Sequence, residues 1–238
     1  MTRVPLVLLP GLLCTDVLYR HQLRDLSDVA DMMVADLTRD DTIADMAGRV
    51  LDEAPPTFAL AGLSMGGYVA QEVLRQAPER VERLALLDTS ARSDDDTQRR
   101  RREGLIAQVR RSAPEKFQGV TRRLLPLLIH PARQEDPAFV EPVQAMAKAV
   151  GQAAYVRQQT AILGRPDGRG DLGAIGCPTM VLCGREDILT PLELSEEMTQ
   201  GIANARLVVI ENCGHLATLE QPEAVNAAFR EWLAGEAA

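Results

Sequence analysis

Short runs of apolar residues recur along this 238-residue chain, each about as long as a strand: Val4 to Leu9, Met32 to Leu37, Phe58 to Leu63, Leu84 to Asp88, Thr179 to Cys183 and Leu207 to Ile210. Several show no polar–apolar alternation, the pattern of strands covered on both faces. Between them, apolar positions fall at helical spacing over Thr42 to Glu53, Met65 to Gln76, Pro191 to Gln200 and Pro222 to Leu233. Pro191 and Pro222 stand where a helix would open, a position at which the missing N–H costs little. The alternation predicts an α/β protein with a mostly parallel, doubly wound sheet and helices on both faces.

The rhythm breaks between about residues 91 and 170, where the chain is polar, arginine-rich and helix-prone without a convincing strand. This segment reads as a helical cap inserted into a core made of residues 1–90 and 171–238. Gly164 to Gly170, rich in glycine and carrying Pro166, reads as a flexible connection back to the sheet. Charge follows the same division. Residues 89–170 hold 15 Lys and Arg against 9 Asp and Glu, a net of +6, whereas the rest of the chain carries −14 of the total −8.

With 46% hydrophobic residues the chain is long enough to bury a sizeable core, and one domain is the default. No apolar run approaches the roughly 18 residues of a membrane span, and the start reads as a strand rather than a leader. These features predict a soluble, cytoplasmic protein with no membrane partner. Cys14, Cys177, Cys183 and Cys213 form no CxxC pair, so they read as buried free thiols and no metal site is expected. Cys14 is read as a packed or cavity-lining thiol rather than a reactive one.

Candidate chemistry begins at Gly62-Leu63-Ser64-Met65-Gly66, which follows one predicted strand and opens the next predicted helix. Small residues two before and two after the serine permit a sharp strand-to-helix turn that leaves Ser64 exposed at the strand tip. A serine hydroxyl is a poor nucleophile at neutral pH, so a histidine base and an acid to orient it are required. Asp187 follows the strand ending near Cys183, and His215 follows the strand ending at Ile210. His215 is the only histidine beyond Asp187; His21 and His130 read as surface or packing residues.

Three segments in this order, Gly62 to Gly66, Gly184 to Pro191 and Gly214 to Pro222, resemble those of the α/β-hydrolase superfamily. The last two are similar to those of its smaller capped members, which include carboxylesterases, enol-lactonases and carbon–carbon bond hydrolases. The resemblance implies the α/β-hydrolase fold and a triad of Ser64, His215 and Asp187. It implies an oxyanion hole made by the backbone N–H groups of Met65 and Leu12, with Leu13 as the alternative to Leu12 because Pro10-Gly11 replaces the His-Gly of many relatives. Asp88, at the end of a strand, is the competing acid; Asp187 is preferred, and Asp88 is expected to bond local backbone. Glu186 is expected to be solvated, and Glu220 and Gln221 to help start the last helix.

The function so implied is hydrolysis of a small ester or lactone through an acyl-enzyme, with no cofactor. Carbon–carbon hydrolysis or lyase chemistry by the same triad, and a non-catalytic ligand-binding protein on this fold, are the alternatives. The arginines at 99–102, 110, 111, 122 and 123 lack interleaved aromatics and a nucleic-acid motif, so a solvated cap face is expected, with no nucleic-acid partner. Arg122 or Arg123 is the candidate for a residue facing the cavity to hold a substrate carboxylate. The sequence leaves oligomeric state open.

Overall fold

A computed structural model describes residues 3–235. Its six strands, β1 (Val4–Leu9), β2 (Ala30–Val34), β3 (Phe58–Leu63), β4 (Val81–Leu87), β5 (Thr179–Gly184) and β6 (Ala205–Ile210), form one parallel sheet in the order β2-β1-β3-β4-β5-β6. The reversal of strand order beside β1 and β3 makes the sheet doubly wound, as the apolar pattern predicts. Alternate residues of each strand enter different cores. Leu6, Leu8, Ala59, Ala61 and Leu63 face one side, and Val7, Leu9, Phe58, Leu60 and Leu84 the other. Burial on both faces is why these strands read as continuous apolar runs.

Helices α2 (Ile43–Glu53), α3 (Met65–Gln76) and α7 (Leu192–Gly201) cover one face through Met46, Val50, Val69, Val73 and Met198. Short α1 (Arg20–Asp25) and α8 (Ala217–Glu220) lie with α9 (Pro222–Ala234) over the other, where α9 buries Val225, Phe229 and Trp232. Two strands differ most from expectation, and β6 also begins two residues early, at Ala205 rather than Leu207. β2 begins and ends earlier than Met32 to Leu37, because Asp36 accepts the Thr38 N–H at 3.0 Å and turns the chain out of the sheet. β4 starts at Val81, its polar Glu82 and Arg83 having hidden the first turn of pairing beside Phe58.

Between β4 and β5 the described chain forms α4 (Asp96–Arg111), α5 (Leu125–Leu128) and α6 (Pro137–Leu163), which bends at Gly151, where φ is 78°. The connection from Gly164 to Gly170 is not the slack linker its composition suggests. Arg165 pairs with the buried Asp94 at 2.8 Å, and the Gly168 N–H donates to the Ala91 carbonyl at 2.7 Å, tying the end of this segment to its beginning.

Candidate active site

The turn from β3 into α3 places Ser64 at φ 56°, ψ −115°, a backbone state that is costly for a residue with a side chain. The neighbours enforce it. The Ser64 N–H donates to the Leu87 carbonyl at 3.0 Å, and the Ser64 carbonyl accepts from Gly67 N–H at 2.9 Å and Thr89 Oγ1 at 2.8 Å. A Cβ on Gly62 would run into the backbone of Gly66, and one on Gly66 into the Leu9 carbonyl, so both positions demand glycine.

The structure brings the three side chains of the expected triad into one hydrogen-bonded line. His215 Nε2 lies 2.9 Å from Ser64 Oγ, and His215 Nδ1 lies 2.8 Å from Asp187 Oδ2. Both His215 and Asp187 are buried, while Ser64 is partly exposed. Asp187 sits on the turn after β5, where its Oδ1 accepts the N–H groups of Leu189 at 2.9 Å and Thr190 at 3.1 Å. Its Oδ2 accepts Thr190 Oγ1 at 2.6 Å. Burial opposes ionisation of Asp187, but the facing imidazole and these hydrogen bonds outweigh it and hold the carboxyl below the usual carboxylate range. Burial likewise opposes protonation of His215, and the Asp187 charge and hydrogen bond overcome it, raising the imidazole above 6.5.

The imidazole meets Asp187 rather than Asp88. Asp88, fully buried at φ 43°, accepts the Gly184 N–H at 2.8 Å and the Ala217 N–H at 3.2 Å. These are backbone partners, yet they are distant in sequence: the carboxyl joins the end of β5 to the start of α8. Burial, reinforced by the nearby Asp187 charge, pushes its pKa well above the carboxylate range.

Glu220 departs further from expectation. It does not start α9; its buried carboxyl accepts the N–H groups of Gly214 at 3.0 Å, Leu216 at 3.3 Å and His130 at 2.7 Å. It therefore clasps both sides of His215 and joins them to the segment after α5. The Leu128 carbonyl adds a second tie by accepting the His215 N–H at 3.1 Å. Glu186 is exposed as expected, although one oxygen also accepts the Cys213 N–H at 2.9 Å.

In the first loop, the Cys14 N–H closes a turn on the Gly11 carbonyl at 3.1 Å, with Leu12 and Leu13 at its centre and Leu13 at φ 61°. The Leu13 N–H donates to Oε1 of Gln158 on α6 at 3.1 Å, and Gln158 Nε2 donates in turn to the Leu37 carbonyl at 3.1 Å. Leu13 is thus already engaged. Among the described residues no acceptor meets the Leu12 N–H, and Met65, as the first residue of α3, has no intrahelical acceptor. Gln158 escaped the sequence reading because no motif marks it. Its spacing from Ala154, Ala161 and Ile162 puts it on their buried face, and a glutamine on such a face was the available signal.

Ser64 and His215 open onto a cavity of about 430 Å³. One part is apolar, lined by Val120, Leu124, Val143 and Met146; another is walled by Arg101, Arg102, Asp94 and Arg165. Arg122 and Arg123 are not in this wall: both are exposed, and Arg122 pairs with Glu135 at 3.7 Å. Cys14 lines the cavity, and burial pushes its thiol up to about 12, so it is no thiolate nucleophile. His130 Nδ1 accepts the Ala132 N–H at 3.2 Å, and His21 accepts from Arg20 at 3.1 Å. Asp88, Cys183 and Asp187 bring possible metal-ligand atoms within 4.8 Å of one another. Their carboxylate oxygens are occupied by backbone, Thr190 and His215, and burial keeps the Cys183 thiol protonated, a poor donor set for a metal.

A doubly wound parallel sheet with a strained serine at the tip of β3 defines an α/β-hydrolase. The chain belongs to the alpha/beta hydrolase family, whose model matches residues 7–228. It is 29% identical over 189 residues to the pimeloyl-[acyl-carrier protein] methyl ester esterase of Nitrosomonas europaea, covering 77% of this chain and 74% of that protein. Among solved structures, a thermophilic esterase from Thermogutta terrifontis, with malate bound, superposes with a TM-score of 0.88 at 29% identity, covering 100% of this chain and 92% of that one. The enol-lactonase of Burkholderia xenovorans shares the fold, with a TM-score of 0.86 at 20% identity over 98% of this chain and 92% of that one. No helix among the described residues is long and apolar enough to cross a membrane.

Proposed function

We propose that the chain is a serine hydrolase that cleaves a small carboxylic ester or lactone through an acyl-enzyme. The observation that carries this reading is the continuous line from Ser64 Oγ through His215 to Asp187, at 2.9 and 2.8 Å, opening on the 430 Å³ cavity. Family membership and a relative named as an esterase support ester hydrolysis as the reaction class.

Each group then has a task. Neutral His215 takes the proton of Ser64 as its oxygen attacks the carbonyl carbon, and Asp187 stabilises the imidazolium so formed. The N–H groups of Met65 and Leu12 stabilise the oxyanion. His215 returns the proton to the leaving alcohol, and water repeats the sequence on the acyl-enzyme. Every step is supplied by the chain's own groups, so no cofactor is invoked. Residues 91–170 act as the cap over a core of residues 1–90 and 171–238, with α4 to α6 roofing the site.

The test is twofold. A fluorophosphonate probe should label wild-type protein at Ser64 and fail on Ser64→Ala, and short 4-nitrophenyl esters should be hydrolysed only by the former. Labelling without turnover of any ester or lactone would redirect the reading to carbon–carbon cleavage by the same triad. Absence of labelling would leave a ligand-binding protein on this fold.

A further inference from the structure

Resting on the serine-hydrolase reading, we propose that Arg101 and the Arg102–Asp94–Arg165 cluster form an anion subsite, so that the ester taken by Ser64 carries a carboxylate away from its reacting carbonyl. The charge arrangement in the cavity wall carries the argument. Asp94, only 2% exposed, is shared by two guanidinium groups: Arg102 Nε at 2.7 Å and Arg165 Nη2 at 2.8 Å. The Arg165 side chain is 6% exposed, with its guanidinium over the Tyr68 ring at 4.3 Å, and Arg102 is 20% exposed and also donates to Gln159 Oε1.

One carboxylate between two guanidiniums leaves the cluster with a net positive charge; Arg165 is held further by the Arg92 and Ile162 carbonyls at 3.1 and 2.9 Å and Arg102 by Gln159, so the cluster acts as a fixed positive field in this wall rather than as a free fork. Arg101, the next residue along α4, adds a second charge to the same wall and makes no ion pair among the described residues. Asp95, which also lines the cavity, caps α4 through the Thr97 and Gln98 N–H groups, both at 2.8 Å, so Arg101, Arg102 and Arg165 face two carboxylates, Asp94 and Asp95, and a net positive charge of one remains. A planar guanidinium fork matches a carboxylate, and the apolar residues that line the same cavity, among them Val120, Leu124, Val143 and Met146, suit the methylene chain between that carboxylate and the ester. The subsite is thus built from α4 and the chain after α6, whereas Arg122 and Arg123 lie outside it.

The experiment pairs esters of matched length: 4-nitrophenyl hydrogen glutarate against 4-nitrophenyl pentanoate, and the hydrogen adipate against the hexanoate. Wild-type kcat/KM should favour one anionic member of these pairs by about tenfold or more, the scale of one charge-assisted hydrogen bond. Arg101→Gln should shrink that ratio at least fivefold, mainly through KM, and Arg101→Lys should recover part of it. Arg102→Gln should shrink it as well, its melting temperature being followed because it also unpairs Asp94.

A ratio at or below one in both pairs, or an Arg101→Gln ratio equal to wild type, overturns the subsite while leaving the hydrolase reading intact. Calorimetry on Ser64→Ala supplies an arm independent of turnover: monomethyl adipate should bind at least fivefold more tightly than methyl hexanoate, and addition of Arg101→Gln should abolish the difference. If no ester is cleaved and no fluorophosphonate label appears, the hydrolase reading falls, and the calorimetry still decides whether an anion is held. Equal binding of the two compounds there sinks the subsite.

Discussion

Replacing Gln158 with leucine is a sharp test of how α6 supports the loop that carries the proposed Leu12 oxyanion donor. Leucine keeps most of the side-chain volume on the buried face of α6 but leaves the Leu13 N–H and the Leu37 carbonyl without the partners they now have at 3.1 Å. A buried backbone group stripped of its partner costs about 1–3 kcal/mol, so the pair should cost about 2–6 kcal/mol. At about 2–4 °C per kcal/mol for a chain of this size, the melting midpoint should fall by about 4–24 °C. A second effect concerns activity. The turn from Gly11 to Cys14 holds Leu13 at φ 61°, which a residue with a side chain adopts at a cost of order 1–2 kcal/mol. Without Gln158, rotation of the Leu12–Leu13 peptide relieves that cost and shifts the loop carrying the Leu12 N–H. Loss of one oxyanion donor costs about 10²–10³ in kcat, and a displaced donor should cost about 10–100-fold. Because the donor acts on the transition state, KM should stay within about threefold. Thermal melts and steady-state kinetics on a short 4-nitrophenyl ester read both effects. A variant that melts lower but keeps kcat within about twofold would break the link between Gln158 and the oxyanion loop.

The base role proposed for His215 sets the acid side of the expected pH profile. Its imidazole is raised above 6.5, so kcat/KM should fall as pH drops through a value above 6.5, and Asp187→Asn should lower that limb while costing about 10³–10⁴ in kcat. A wild-type limb below 6.5 would contradict the assigned Asp187 partnership. Glu220→Gln should reduce stability by about 1–3 kcal/mol, since one of the oxygens that accept from Gly214, Leu216 and His130 becomes an NH₂ facing a donor; unchanged denaturant midpoints would refute the clasp. Asp88→Asn places a similar NH₂ against Gly184 or Ala217 and should lower stability by about as much, yet it should move the acid limb by less than about half a unit, because burial already favours the uncharged form of Asp88. A large downward movement would show that Asp88 is ionised beside His215.

What was legible in the sequence is what local rules govern. The strand Phe58–Leu63 and the helix Met65–Gln76 follow from a continuous apolar run and an amphipathic one meeting at Gly62-x-Ser64-x-Gly66, and Asp187 and His215 follow from their places after later strands. Contacts made across long separations left little local trace. Gln158 reaches Leu13 over 145 positions, and Asp88 reaches Gly184 and Ala217 over 96 and 129. Glu220 was visible but misjudged, because a carboxylate just before Pro222 has the signature of a helix start. Arginines at helical spacing do not reveal which face meets a cavity, and so Arg122 and Arg123 drew attention that belonged to Arg101, Arg102 and Arg165.

Three buried carboxyl groups surround one imidazole, and their different environments keep them from acting alike. The Asp187 carboxyl has four hydrogen-bond contacts counting His215 and is held below the usual carboxylate range, whereas burial pushes Asp88 and Glu220 up. Burial opposes protonation of the imidazole, the Asp187 charge and hydrogen bond outweigh it, and Asp88 and Glu220 act in the same direction as Asp187. Asp88 and Glu220 serve besides as hydrogen-bonding ties that fix β5, α8 and the segment after α5 around the histidine. The burial that pushes these two carboxyls up is the same burial that makes their hydrogen bonds hold the framework on which His215 and Asp187 meet.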